Sequence, residues 1–302
     1  MKIAVTGATG FLGRYVVRRL TAQGHQCRCW HRPTSDRSGI DTLGGAVVWI
    51  EGGLDRPGTE VELVAGCDAV VHAALDRPGR GFRGAEGDLV TFVEINVVGS
   101  LRLIEAARAA RAGRFVFIST GAVHEKILPD RPLDENHPAR PTTHYGAHKA
   151  AIEMFVHSLG FGMGYPICAL RPTGIYGLAH PASASKWFDL VRAIALGRET
   201  TCTKGGKEVH AADVARAAEI LLNADPSKVA GEVFECFDRT ISDHEVATIA
   251  QALSGASGVL HGSSPVPRNQ IVTDKLRALG MTFGGRPLLE ETVKELLAAI
   301  SE

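Results

Sequence analysis

The chain has 302 residues, 33 basic and 33 acidic side chains, a formal net charge of zero and a hydrophobic fraction of 45%. That length and apolar content suit one large domain, or a domain with a smaller companion, and exclude a disordered chain. The charge balance argues against a nucleic-acid or anionic-membrane binder, and no apolar run approaches the ~18 residues of a membrane span, so a soluble cytoplasmic protein is expected.

The chain opens on a short apolar strand, 2–6, that runs into Thr6-Gly7-Ala8-Thr9-Gly10-Phe11-Leu12-Gly13 and a helix over 11–22. Glycines at 7, 10 and 13 permit a tight strand-to-helix turn, close main-chain approach to a pyrophosphate and close packing of helix on strand. The helix N-terminus directs its amides at the phosphates. Gly7, Thr9, Gly10, Phe11 and Leu12 are therefore expected to cradle a dinucleotide.

The second strand, 26–31, ends in Trp30-His31-Arg32-Pro33-Thr34-Ser35. An NAD site usually carries Asp or Glu there, on the ribose hydroxyls. Arg32 instead offers a planar fork suited to a 2′-phosphate, so NADP is expected, with NAD the alternative.

Further strands read at 46–50, 68–72, 114–119, 166–170 and 231–238, with helices at 88–112, 144–161 and 211–223. The alternation implies right-handed βαβ crossovers and a doubly wound parallel sheet of the Rossmann type. Nearly continuous apolar strands such as Phe115-Val116-Phe117-Ile118 fit a sheet covered on both faces. After Arg171-Pro172 the alternation loosens. Helices read at 184–196, 242–253 and 288–300, and Ser242-Asp243-His244-Glu245 is a capping box. Residues 1–172 with about 207–240 are expected to bind the cofactor, and 173–206 with 241–302 to form a small C-terminal cap for the substrate.

Tyr145 and Lys149 stand four residues apart at the start of a helix, one turn apart on one face. A free tyrosine titrates near ~10, and a neighbouring ammonium lowers it towards useful acid/base chemistry. Ser119-Thr120 ends the buried strand 114–119, at the sheet edge where a nicotinamide lies. Thr120 can bond the substrate oxygen while Tyr145 exchanges its proton.

Together these stretches resemble the extended short-chain dehydrogenases/reductases, the NAD(P)-dependent epimerase/dehydratase family, over essentially the whole chain. The resemblance includes Cys67-Asp68-Ala69-Val70-Val71-His72-Ala73-Ala74, Asn96-Val97-Val98-Gly99-Ser100, Leu170-Arg171-Pro172-Thr173-Gly174-Ile175-Tyr176-Gly177 and His210-Ala211-Ala212-Asp213-Val214-Ala215. It implies that Tyr145 is the acid/base, that Thr120 polarises the reacting oxygen, and that Lys149 holds the nicotinamide ribose and lowers the Tyr145 pKa. It also implies that Leu54, Ala73, Ala74, Asn96, Ser119, Pro172 and Ile175 line the cofactor. A hydride would move between nicotinamide and a hydroxyl-bearing carbon of a sugar, sugar nucleotide or similar polyol.

The departures matter too. Gly121 and Ala122 stand where dehydratases carry Asp-Glu, which argues against water elimination, and Gly53 replaces an acidic residue near the adenine. Lys204-Gly205-Gly206-Lys207 stands where nucleotide-sugar enzymes have a diphosphate-binding arginine. A carbonyl reductase for a non-sugar aldehyde or ketone, and a cofactor-sensing binding protein on the same fold, are the alternatives.

Arg77, Arg80 and Arg83 follow the fourth strand on the expected substrate side, where they would grip a carboxylate or phosphate, and His180 would donate a proton to a sugar intermediate. No metal is expected. The six cysteines read as core thiols, His124-Glu125 lacks a second histidine at Leu128, and His144 and His148 flank a tyrosine already assigned to proton transfer. Apolar residues on several faces of the helices at 88–112 and 144–161 (Phe92, Val93, Leu101, Ile104, Met154, Phe155, Leu159) suggest a homodimer built on a four-helix bundle.

Overall fold

A computed structural model describes residues 1–77, 86–264 and 268–301. Its strands are β1 (Lys2–Thr6), β2 (Gln26–His31), β3 (Val47–Glu51), β4 (Ala69–His72), β5 (Arg114–Ile118), β6 (Ile167–Pro172), β7 (Gly174–Tyr176), β8 (Thr200–Cys202), β9 (Gly205–His210), β10 (Val233–Cys236), β11 (Arg239–Ser242) and β12 (Leu260–Gly262). Seven of them form one parallel sheet in the order β10-β6-β5-β4-β1-β2-β3. The order reverses direction at β1, between β4 and β2, so the carboxyl ends of these three strands frame a crevice of the kind that binds dinucleotides.

The chain divides into two compact units. The first holds residues 1–172, 214–236 and 271–281; the second holds 173–213, 237–270 and 282–302. The sequence division differs at three places, the first two being 207–213 and 237–240, both of which lie in the second unit. Residues 207–213 lie in the second unit because β9 pairs with β7 and β11 rather than with the large sheet, and 271–281 joins the first, where Ile271 bridges Leu133.

Each unit has its own core. In the first, Val70, Phe115, Phe117, Ile167 and Ala169 of the sheet pack with Leu103, Ile104, Ile152, Val156 and Leu159 of the covering helices. In the second, Tyr176, Phe188, Val191, Ile194, Ile241, Val246, Leu289, Val293 and Leu296 form the cluster. The apolar positions of the helices thus serve their own cores: Phe92, Ile104 and Leu159, read as dimer-forming, are buried within the chain, whereas Val93, Met154 and Phe155 remain exposed.

Local chemistry explains the element boundaries. Helix His144–Met163 starts where Thr143 accepts a bond from the Gly146 amide at 3.1 Å, and stops at Gly164, which has φ +67°. Ser242 accepts from the Glu245 amide at 3.0 Å, as its capping-box pattern anticipates. The helix expected over 88–112 is interrupted: Leu89–Val93 and Gly99–Ala109 flank a π-helical segment, Glu94–Val98. The six cysteines are free and buried, and no helix among the described residues is long and apolar enough to cross a membrane.

Candidate active site

The glycine loop is built as its sequence requires. Gly7 has φ +69°, and a Cβ there would lie 2.8 Å from the Ala73 carbonyl group and 2.9 Å from the Ala74 nitrogen. A Cβ on Gly13 would lie 2.7 Å from the Gly7 carbonyl carbon and 2.8 Å from Ala8 Cα. The bare backbone therefore lets β4, the loop and the helix Phe11–Ala22 close on one another. That helix begins at Gly10 with no side-chain cap and no acidic residue in its first turn. Its amides and positive dipole end have no competing carboxylate of their own, which suits an anionic pyrophosphate.

Beneath the loop lies Arg14, a buried residue the sequence reading did not single out. Its Nε donates to the Thr9 carbonyl at 3.1 Å, and its two Nη groups donate to the carbonyls of Ser38 and Asp36. One guanidinium thus ties the glycine loop to the segment after β2. Burial lowers its pKa, opposed by Asp36. The available signal was position: Arg14 sits between Gly13 and Val16-Val17 on the face of an amphipathic helix that packs inward.

A second brace runs through His72. Thr6 Oγ1 accepts from the Ala73 and Ala74 amides, each at 3.1 Å, which leaves its own hydrogen for His72 Nδ1 at 2.7 Å. Nε2 must then carry the imidazole proton and donate to Ser100 Oγ at 2.8 Å, and Ser100 donates to the Asn96 carbonyl at 2.5 Å. Burial, with the nearby Lys149 charge, pushes the His72 pKa down to about 3, so the ring is neutral. The chain of bonds ends on the π-helical segment. There Asn96 Oδ1 accepts from the Asp76 amide at 2.8 Å and its Nδ2 donates to the Asp76 carbonyl at 2.9 Å, fixing the segment that leaves β4. A π turn of this kind re-aims one side chain within a helix, which the apolar spacing of 88–112 does not reveal.

Thr120 follows β5. Its hydroxyl accepts from the Ala122 amide at 3.2 Å, and it stands near enough to the Tyr145 phenol to favour the phenolate. Gly146 makes this approach possible: a Cβ there would lie 2.8 Å from the Ala122 carbonyl oxygen and from Pro141. Lys149 is buried on the same helix face, where its Nζ donates to the Ile118 carbonyl at 2.7 Å and lies 4.5 Å from the Phe117 ring. Burial pushes its pKa down to about 7 against the pull of Glu153.

The surroundings of Tyr145 pull its pKa in both directions. Burial raises the Tyr145 pKa above its ordinary value, opposed by the Thr120 hydroxyl and by the charge of Arg77. Arg77 is thus one cation that acts on the phenol, and Lys149, one turn along the helix, is tied to the end of β5.

Behind these residues lies a buried ionic cluster that sequence reading missed. Ser119 donates to Glu153 at 2.5 Å; Arg171 donates to both oxygens of Glu153 at 2.9 and 2.8 Å and to Glu235 at 3.0 Å. His124 Nε2 also contacts Glu235, at 2.9 Å. The signal was present: Tyr145, Lys149 and Glu153 recur every fourth residue on one helix, and Arg171 and Glu235 are charges within otherwise apolar strands.

The remaining expected residues fall as follows. Arg32 leaves the end of β2, exposed, with Nη1 3.3 Å from Asp76 Oδ1. Leu54 is buried, and its carbonyl accepts from Arg102 at 2.8 Å. Ala73, Ala74, Asn96, Ser119 and Pro172 belong to the first unit with the glycine loop, whereas Ile175 on β7 and the exposed His180 belong to the second. Arg80 and Arg83 lie outside the described residues. His148 is buried edge-on against Phe92, and burial pushes its pKa down to about 2.

A Rossmann sheet, a glycine loop at its switch point and a Tyr/Lys/Thr set at the neighbouring edge define a nicotinamide-cofactor enzyme of the extended short-chain dehydrogenase/reductase type. Residues 3–236 match the model of the NAD dependent epimerase/dehydratase family, and the chain belongs to that family. It is 31% identical over 237 residues to a 4-hydroxy-2-methyl-3-oxo-4-farnesyl-3,4-dihydroquinoline-1-oxide ketoreductase of Stigmatella aurantiaca, a match covering 78% of this chain and 67% of the relative. It is 30% identical over 183 residues to a UDP-glucose 4-epimerase of Corynebacterium glutamicum, covering 59% of this chain and 52% of the relative. The chain thus spans about half the length of that second relative. Its fold matches that of a UDP-glucose 4-epimerase from Thermotoga maritima with a TM-score of 0.81 at 20% identity, covering 100% of both chains.

Proposed function

We propose that the protein transfers a hydride between a nicotinamide cofactor and a hydroxyl-bearing carbon of a sugar, sugar nucleotide or similar polyol, with Tyr145 as acid/base. The observation that carries this reading is the placement of Tyr145 and the buried Lys149 one turn apart on the helix His144–Met163, with Thr120 near the phenol, in the same unit as the glycine cradle. When bound, the cofactor gives or takes the hydride. The residues do the rest. Thr120 orients the phenol and bonds the reacting oxygen, and Tyr145 passes its proton to that oxygen or removes it. The charge of Arg77 favours the phenolate when Tyr145 acts as base. Lys149, with further N–H groups beyond the one bonded to Ile118, holds the ribose. Gly121 and Ala122 beside Thr120 bring no carboxylate for removing water, so the reaction ends at hydride transfer.

Arg32, exposed at the end of β2, supports NADP over NAD. The exposed Val90, Val93, Val98, Met154 and Phe155 on the two long helical segments support a homodimer. The C. glutamicum relative is named as an epimerase of a nucleotide sugar, which supports a sugar-like substrate.

A second reading, reduction of a non-sugar ketone, is favoured by the named activity of the S. aurantiaca ketoreductase. One experiment separates the two: incubate the protein with sugars, nucleotide sugars and apolar ketones while following product and cofactor redox state together. Product without net cofactor consumption identifies an epimerase; stoichiometric NADPH consumption on apolar ketones identifies the reductase. Tyr145→Phe should abolish turnover by at least about 100-fold with cofactor affinity unchanged. Undiminished turnover by this variant would refute the role of Tyr145.

A further inference from the structure

Strands β2 and β4 lie on either side of β1, so the segments leaving their carboxyl ends stand about 9–10 Å apart across the mouth of the glycine loop. Arg32 leaves the first and Asp76 follows the second. Their side chains meet, Nη1 3.3 Å from Oδ1, and the ion pair spans the end of the strand that carries the loop.

The two partners are held differently. The Arg32 side chain is 60% exposed at the end of a long flexible stem, free to re-aim its fork. Asp76 is pinned through its main chain, N–H and C=O both bonded to Asn96, whose Nδ2 also donates to the Phe92 carbonyl at 3.1 Å. The Cα that bears the carboxylate is therefore fixed, and only rotation about the short side chain can move the charge when an anion arrives at Arg32.

We propose that Asp76 is a specificity-determining residue that competes with a cofactor 2′-phosphate for Arg32, and so holds NADP affinity below what Arg32 alone would give. This rests on the reading of Arg32 as the 2′-phosphate ligand. A guanidinium already bonded to a carboxylate has fewer donors for a phosphate, and an anion a few ångströms from the phosphate repels it. Both side chains contact solvent, which screens the effect to a severalfold change in affinity. NAD carries no phosphate at that place, so its affinity is indifferent to the charge of Asp76.

The test is direct binding, read by quenching of tryptophan fluorescence on titration with NADPH and NADH, in the wild-type protein and in Asp76→Asn, Arg32→Ala and the double variant. Asp76→Asn keeps the side-chain shape and the main-chain bonds to Asn96. Asp76→Ser serves as a second charge-removing variant should the first not fold. Removing the carboxylate should tighten NADPH about three- to fivefold and leave NADH within twofold. Arg32→Ala should weaken NADPH at least about tenfold. In the double variant the gain from removing Asp76 should vanish.

If Arg32→Ala weakens NADPH but removing Asp76 does not tighten it, or loosens both cofactors alike, the inference about Asp76 is overturned and the role of Arg32 stands. If Arg32→Ala leaves NADPH binding unchanged, the reading of Arg32 fails and the inference falls with it.

Discussion

Arg171→Met is the sharpest probe of the ionic cluster behind the catalytic residues. In the native protein the guanidinium makes two bonds to Glu153 and one to Glu235, and the side-chain exposures are 4% for Arg171 and 0% for both glutamates. Burial by itself would lower the Arg171 pKa, but the two carboxylates outweigh it and the group is held charged above its ordinary range. Methionine fills similar volume without charge, leaving both carboxylates without their shared cation. Removing one partner from a buried pair costs about 3–5 kcal/mol, against 1 or less at the surface.

The sign of the pH dependence follows. In the variant each buried carboxyl favours its neutral form, whereas both ionise in the unfolded chain. The stability deficit should therefore be larger at pH 8 than at pH 5. Urea unfolding at the two pH values, followed by circular dichroism, reads both quantities. Because Ser119 donates to Glu153 and precedes Thr120, turnover should also fall. A deficit under about 1 kcal/mol, or one independent of pH, would refute the account of the cluster as a strongly coupled buried network.

Two other expectations are simpler to test. Gly13→Ala puts a methyl group 2.7 Å from the Gly7 carbonyl carbon, so the loop must shift; a loss of about 1–3 kcal/mol in thermal melts and cofactor affinity weakened at least tenfold are expected. Lys149, lowered from 10.5 to about 7, stays neutral in the folded protein where the unfolded chain is protonated, so its contribution to stability rises with pH across that window and is flat on either side. Lys149→Met should remove that part of the slope, on the order of 5 kcal/mol across the whole window, and an unchanged pH–stability curve would count against the shift.

Much of this protein was legible in its sequence because the relevant information is local. Alternating apolar strands and amphipathic helices specify a parallel sheet through residue spacing alone, and the expected strands at 2–6, 26–31, 114–119 and 166–170 coincide with β1, β2, β5 and β6. The glycines at 7, 10 and 13 announce a turn that only small residues can make. The four-residue interval between Tyr145 and Lys149 places them on one helix face whatever surrounds them. Tertiary structure decided what each charged group meets. Arg32 and Asp76 are 44 residues apart in sequence, and Arg171 meets Glu153 and Glu235 across 18 and 64 residues. Those encounters depend on strand order, on the π turn that aims Asn96 at Asp76, and on which face of a helix is buried. Spacing along the chain encodes where a side chain points on its own element, but the partner it finds there is set by folding.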